Sequence, residues 1–245
     1  DYDVYAQKVD ASGTLSWTPE VAVCALGSWQ LDPAIISTSS GGSVIAWRDL
    51  RNGFDEDVYI QKLNYAGAPQ WTANGVPACT TPGSQFYPNL VNDGNDNAIL
   101  FWNYDNSQTL PNSYTEIYAQ MFNTSGVSQW KTNGVPVNTT TNVQEFCGVA
   151  VADDAGGAII AWEDIRNSYV DDVYAQRVFN NGTLYGAAQN EVIINEFDAD
   201  VTDEWVELLV VKQGGIDLCN WIITDEDPAN MSTPTEGKIA FADNS

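Results

Sequence analysis

Histidine is missing from all 245 residues, and only nine lysines and arginines stand against 33 aspartates and glutamates, a formal charge of −24. Each shortage removes a class of function. Without imidazole there is no Ser-His-Asp or Cys-His pair, no His-ligated zinc or haem and no imidazole pH switch. Nine scattered cations cannot build the basic face that displaces counterions from phosphates, so nucleic acid is excluded as a partner. A polybasic membrane-surface role falls on the same ground. The longest strongly apolar stretches, such as 158–162 and 208–211, are far too short to span a bilayer, so no membrane insertion is expected. Cys24, Cys79, Cys147 and Cys219 are too sparse for a disulfide-stapled scaffold, and buried free thiols are expected. No segment sustains a 3.6-residue apolar period, so helix content should be very low.

What remains is 44% hydrophobic and 11% aromatic, which is enough to bury one or two cores. Its organisation is a repeat. Val4-Tyr5-Ala6-Gln7 returns as Val58-Tyr59-Ile60-Gln61, Ile117-Tyr118-Ala119-Gln120 and Val173-Tyr174-Ala175-Gln176. Trp47, Trp102 and Trp162 each end an apolar run, and Trp17, Trp71 and Trp130 each follow a repeat tyrosine by 12 residues. Asn74-Gly75-Val76-Pro77 recurs as Asn133-Gly134-Val135-Pro136. One period reads as four short strands. They are 88–91, the run 98–102 that is apolar on both faces, 117–122, and 127–130 running on toward Val137. Turn chemistry at 92–97 and 123–126 separates them. A lone four-stranded sheet cannot cover its two faces, so the units should stack as β-propeller blades.

By this reading residues 1–188 hold about three and a half blades, beginning at a third strand. Residues 1–20 carry no charged n-region and no apolar h-region. The expectation is a chain whose leader has been removed, or part of a longer chain or assembly. The repeats, most clearly Asp164-Ile165-Arg166-Asn167 and 129–136, resemble the propeller-type repeats of secreted Bacteroidetes proteins, many exported by the type IX route. The resemblance implies an extracellular or cell-surface location and assigns no catalytic residue.

Near Gln189 the repeat stops, and residues 189–245 carry 13 acids against two lysines. The segments 192–197, 204–208 and 217–225 resemble a lamin-tail domain, which implies an immunoglobulin-like sandwich, here incomplete. The expected fold class is therefore all-β, with blades of four antiparallel strands followed by a partial sandwich.

Four features are candidates for chemistry. In 47–52 and 162–167 an aspartate and an arginine stand two apart, either as a ligand-binding rim or as an ion pair that fixes each loop. The third unit has Asn103-Tyr104-Asp105-Asn106 and no arginine. The turns 10–17 and 123–130 resemble the Asp-box of sialidase propellers. Physically the acid or amide closes an Asx-turn, glycine takes a positive φ and tryptophan packs between blades. Asp198, Asp200 and Asp203 offer hard carboxylate oxygens for calcium, or are a solvated acidic loop; they lack the Gly and Glu of an EF-hand. Carboxylate pairs suited to glycoside hydrolysis occur throughout, so none is diagnostic.

The sequence thus points to a non-enzymatic extracellular binding or scaffold module, with no cofactor unless calcium. Its expected partner is a protein or glycan on a cell surface or in the extracellular matrix. The alternatives are an accessory portion of a larger secreted hydrolase and a lectin-like propeller.

Overall fold

The computed structural model describes residues 1–53, 55–105, 115–138, 145–164, 172–185, 192–198 and 205–210. Among them there is no helix, and so none long and apolar enough to cross a membrane. The chain divides into two compact units, Asp1–Leu184 and Tyr185–Ser245.

The first unit is a series of antiparallel sheets. β1 (Val4–Ala6) and β2 (Val21–Cys24) form the first. The second runs β3 (Gln30–Ser37), β4 (Ser43–Asp49), β5 (Asp57–Leu63), β6 (Val76–Cys79) in sequence order. The third repeats that order with β7 (Ser84–Asn92), β8 (Ala98–Asp105), β9 (Thr115–Phe122) and β10 (Val135–Pro136). The fourth has β11 (Glu145–Ala152), β12 (Ala158–Asp164) and β13 (Asp172–Val178). In the second unit, β14 (Val192–Asp198) pairs antiparallel with β15 (Trp205–Val210).

The apolar run at 98–102 has its explanation in the stacking. Ile99 and Phe101 point to one face and join Ala158, Ile160 and Trp162 of the fourth sheet. Leu100 and Trp102 point to the other and join Val44, Ala46 and Ile60 of the second. Both faces of the third sheet are therefore covered, and its central strand has no polar side. The second sheet meets the first in the same way, with Ile45, Trp47 and Leu63 against Val4, Val23 and Cys24.

Register places the repeat aromatics opposite one another: Trp47 with Tyr59, Trp102 with Tyr118, Trp162 with Tyr174. Each pair is stacked, with centroids 6.3, 6.3 and 6.4 Å apart. All three tryptophans are buried, as their place at the end of an apolar run predicts. Cys24 and Cys79 are buried free thiols.

One element differs from the sequence reading. The fourth strand is not 127–130. That segment makes a single bridge, Ser128 to Phe122, and pairing resumes only at Val135 and Pro136. The intervening loop exists to deliver Trp130, and the repeat glutamine holds it. Gln120, fully buried, donates from Nε2 to the Lys131 carbonyl at 2.8 Å and accepts from the Trp130 amide at 2.9 Å. Gln61 does the same for Thr72 and Trp71, and Gln7 for Trp17. Held this way, each indole reaches the neighbouring sheet. Trp17 Nε1 donates to the Tyr65 carbonyl at 3.3 Å, Trp71 to that of Thr124 at 3.2 Å and Trp130 to that of Asn180 at 2.9 Å. Each ring lies flush on a turn glycine: a Cβ on Gly126 would fall 2.7 Å from Trp71, and one on Gly182 2.6 Å from Trp130. Tryptophan packing between sheets, read from the turn motif, is thus what the geometry has.

Candidate functional site: a bulged inner strand and its arginine clamps

The leading strands β3, β7 and β11 each break register at the same place, between Leu31 and Ala34, Phe86 and Asn89, and Phe146 and Val149. At the bulge Asp32 and Tyr87 both take φ of +51°. Non-glycine residues rarely adopt that conformation, and each is followed by a proline, which further restricts it. Strain of this kind is retained where the surroundings over-determine it, and it marks a candidate site. The two bulges, with Pro33, Pro88, Asn89 and Gly148, line an open cleft of about 400 Å³. Tyr87 presents its ring to solvent there, 55% exposed.

Charge at this cleft is already paired. Arg48 leaves β4 between two carboxylates, with Nε 2.8 Å from Asp32 Oδ2 and Nη1 donating to Glu56 Oε1 at 2.6 Å. All three side chains are partly buried. One guanidinium thus ties the bulge at Asp32 to the loop that carries Glu56.

Deeper in the same loop lies the Asp-Arg pair expected from the sequence, and it is an internal clamp. Asp49 is completely buried. It accepts from Trp47 Nε1 at 2.8 Å and from Arg51 Nε and Nη2 at 2.9 and 2.6 Å, a two-point fork. Arg51 Nη2 also donates to the Asn74 carbonyl at 2.9 Å, and its guanidinium sits 3.5 Å above the Tyr59 ring. Burial pushes the Cys24 thiol up to about 11, despite the adjacent Arg51, so it stays protonated and is no nucleophile at neutral pH. Burial likewise raises Asp57, whose carboxylate accepts from the Asn52 amide. The arginine therefore locks a loop to a core tryptophan, and its side chain is committed to that task.

The third sheet shows what happens without it. Tyr104 stands where Asp49 does in the second sheet, its hydroxyl donating to the Pro82 carbonyl at 2.9 Å. Trp102 Nε1 is buried with no hydrogen-bond partner among the described residues. Tyr118 beneath it is pushed up to about 12 by burial, with the nearby Glu116 adding to the shift. In the fourth sheet, 165–171, which includes the arginine of the second Asp-Arg motif, lies outside the described residues.

At the other end of the leading strands, turn residues surround a second open cleft of about 630 Å³, lined by Thr38, Ser39, Asn92 and Asp96 among others. Asp96 accepts from the Ser39 amide at 2.7 Å and from its hydroxyl, and these bonds hold its carboxyl below the usual range. The neighbouring turn is built on Asp153, which accepts the Ala155 and Gly157 amides and an ion pair from Arg177 at 2.8 Å. Here too the acids close turns.

Of the calcium candidates, Asp198 ends β14, while Asp200 and Asp203 lie outside the described residues. Among the described residues no three Cys, Asp or Glu side chains converge to hold a metal ion.

No family model matches the sequence, and no curated protein is significantly similar to it. Solved structures similar to the chain include two bacterial proteins. A protein of unknown function from Dyadobacter fermentans is 12% identical over 74% of this chain and 56% of its own, with a TM-score of 0.47. The chain thus spans just over half that protein's length. An endo-arabinase from Bacteroides thetaiotaomicron is 10% identical over 87% of each chain, again with a TM-score of 0.47. Likenesses at this level carry neither fold nor activity across.

Proposed function

We propose that the chain is a non-enzymatic, extracellular or cell-surface binding and scaffold module, its first unit an arc of β-propeller blades and its second a lamin-tail-like sandwich. The observation that carries the reading is that repeat-positioned charges are spent on one another. Arg51 forks onto Asp49, Arg48 bridges Asp32 and Glu56, and Arg177 pairs with Asp153. Charges used to fix loops leave recognition to the shape and polarity of the clefts, and the partner in this reading is a glycan or protein outside the cell.

Within that class the cleft beside Tyr87 favours a glycan. The exposed Tyr87 ring at the cleft offers a stacking face for a sugar ring. A glycan array probed with the whole chain tests this. Retention on one class of polysaccharide, lost on Tyr87→Ala with the melting temperature unchanged, is expected; binding indifferent to Tyr87 would move the contact elsewhere.

A further inference from the structure

We infer that the turn at 10–14 is a receptor for the tryptophan of a further four-stranded sheet of this same repeat, docked on the open face of the first sheet. Four turns among the described residues share one geometry. In the first, the Gly13 amide bonds the Asp10 carbonyl and the Asp10 amide bonds that of Thr14; Asn64 and Asn123 close theirs identically, and Phe179 does so in the fourth. The turn glycines, Gly13, Gly67, Gly126 and Gly182, have φ of +84°, +85°, +79° and +79°. The last three each carry an indole from the preceding sheet, and each indole donates to the carbonyl two residues before the glycine. Around Gly13 a Cβ would meet nothing within 4 Å. The acceptor at the corresponding position is the Ala11 carbonyl.

A second exposed position lies on the same sheet. Tyr59, Tyr118 and Tyr174 each stack on a tryptophan from the adjacent strand. Tyr5, their equivalent in β1, is 53% exposed, and no ring stacks on it among the described residues. The turn at Gly13 thus offers the receiving half of an interface that the chain builds three times over, and Tyr5 offers the position at which a strand paired to β1 would stack its own tryptophan.

The occupant follows from that continuity. It is a sheet of this repeat, presenting an indole 12 residues after its own tyrosine. A second copy of the chain would dock by its last repeat, where the residue 12 positions after Tyr174 is Gly186. It has no indole to give. The inference goes beyond the binding reading above and stands whether or not the clefts take a glycan.

The test adds such a sheet to the whole chain. Residues 30–113 are duplicated ahead of Asp1, which supplies one four-stranded sheet with its Trp71, followed by copies of β7 and β8 placed to pair with β1. In the 245-residue chain, Gly13→Ala should lower the melting temperature by about 2–4 °C, the backbone penalty alone, and Gly67→Ala by at least twice as much. In the extended chain Gly13→Ala should match Gly67→Ala, and replacing the added copy's Trp71 by Ala should return it to the smaller value. Equal Gly13→Ala shifts with and without the extension would overturn the inference. So would loss of cooperative unfolding in the extended chain, or sedimentation of the 245-residue chain as a dimer at micromolar concentration.

Discussion

Gln120 is the residue whose role the sequence least advertises, and replacing it with leucine separates the clamp from mere packing. Leucine matches its size and removes three bonds: Nε2 to the Lys131 carbonyl, and Oε1 from the Trp130 and Met121 amides. The site is fully buried, so at least two backbone groups lose their partners where water does not replace them. At about 1–3 kcal/mol for each of two buried groups left unpaired, the expected loss is roughly 2–6 kcal/mol. For a domain of this size that lowers the melting temperature by about 4–24 °C. Gln7→Leu is the control, because Gln7 makes the same three kinds of bond in an exposed loop. Water satisfies what it abandons, and its loss should stay below about 1 kcal/mol. Urea unfolding followed by tryptophan fluorescence measures both. Equal effects at the two positions would refute the reasoning.

Trp102→Ala should destabilise by about 3–5 kcal/mol as a large-to-small core change. Trp47→Phe should cost about 1–3 kcal/mol more than Trp102→Phe, since only the first abandons a buried acceptor, Asp49, as calorimetry on the two variants will show. Arg51→Met leaves the Asp49 carboxylate buried and unpaired and should cost about 3–5 kcal/mol in the same assay. Burial pushes Asp153 up, but the Ala155, Arg177 and Gly157 hydrogen bonds outweigh it and hold its carboxyl below 3.8. Between the folded and unfolded values the unfolded chain binds more protons, so this contribution is present above 3.8 and lost as pH falls below it. Asp153→Asn should therefore weaken the protein at pH 7, and progressively less as pH falls through the folded value of the acid. Glu116 has the opposite sign, because burial raises it. Glu116→Gln should raise the melting temperature at pH 7, an advantage that fades as pH falls through the folded value of the acid.

The stacked sheets were legible because each unit is too small to cover its own faces, and apolar residues such as Leu100 and Ile99 had to recur on both sides of the central strand. The buried tryptophans and the Asx-turns were legible for the same reason: their partners lie at fixed spacing within a repeat or in the next one. The end of the third hairpin was not. The stretch 127–130 has strand-like residues, yet Gln120, on the adjacent strand, takes the Trp130 amide and turns the segment into a loop. A short-range pattern holds no trace of a side chain that competes for a backbone bond from ten residues away. The bulges at Asp32 and Tyr87 were missed too, although Asp32-Pro33 and Tyr87-Pro88 recur 55 residues apart and an X-Pro step in a leading strand is itself a bulge signal. The Asp-Arg motif was recognised, but its depth was not readable, because burial of Asp49 depends on Trp47 and on the turn at Asn74 from the far end of the same sheet.

The central proposal is that the paired carboxylates hold loops and perform no chemistry. The most direct measurement is turnover of a polysaccharide, ester and peptide panel by the intact 245-residue chain, with product release followed over days at micromolar protein. The account predicts no product above the buffer blank. Turnover that is abolished by Asp32→Asn or by Glu56→Gln, with the melting temperature of the variant unchanged, would contradict it.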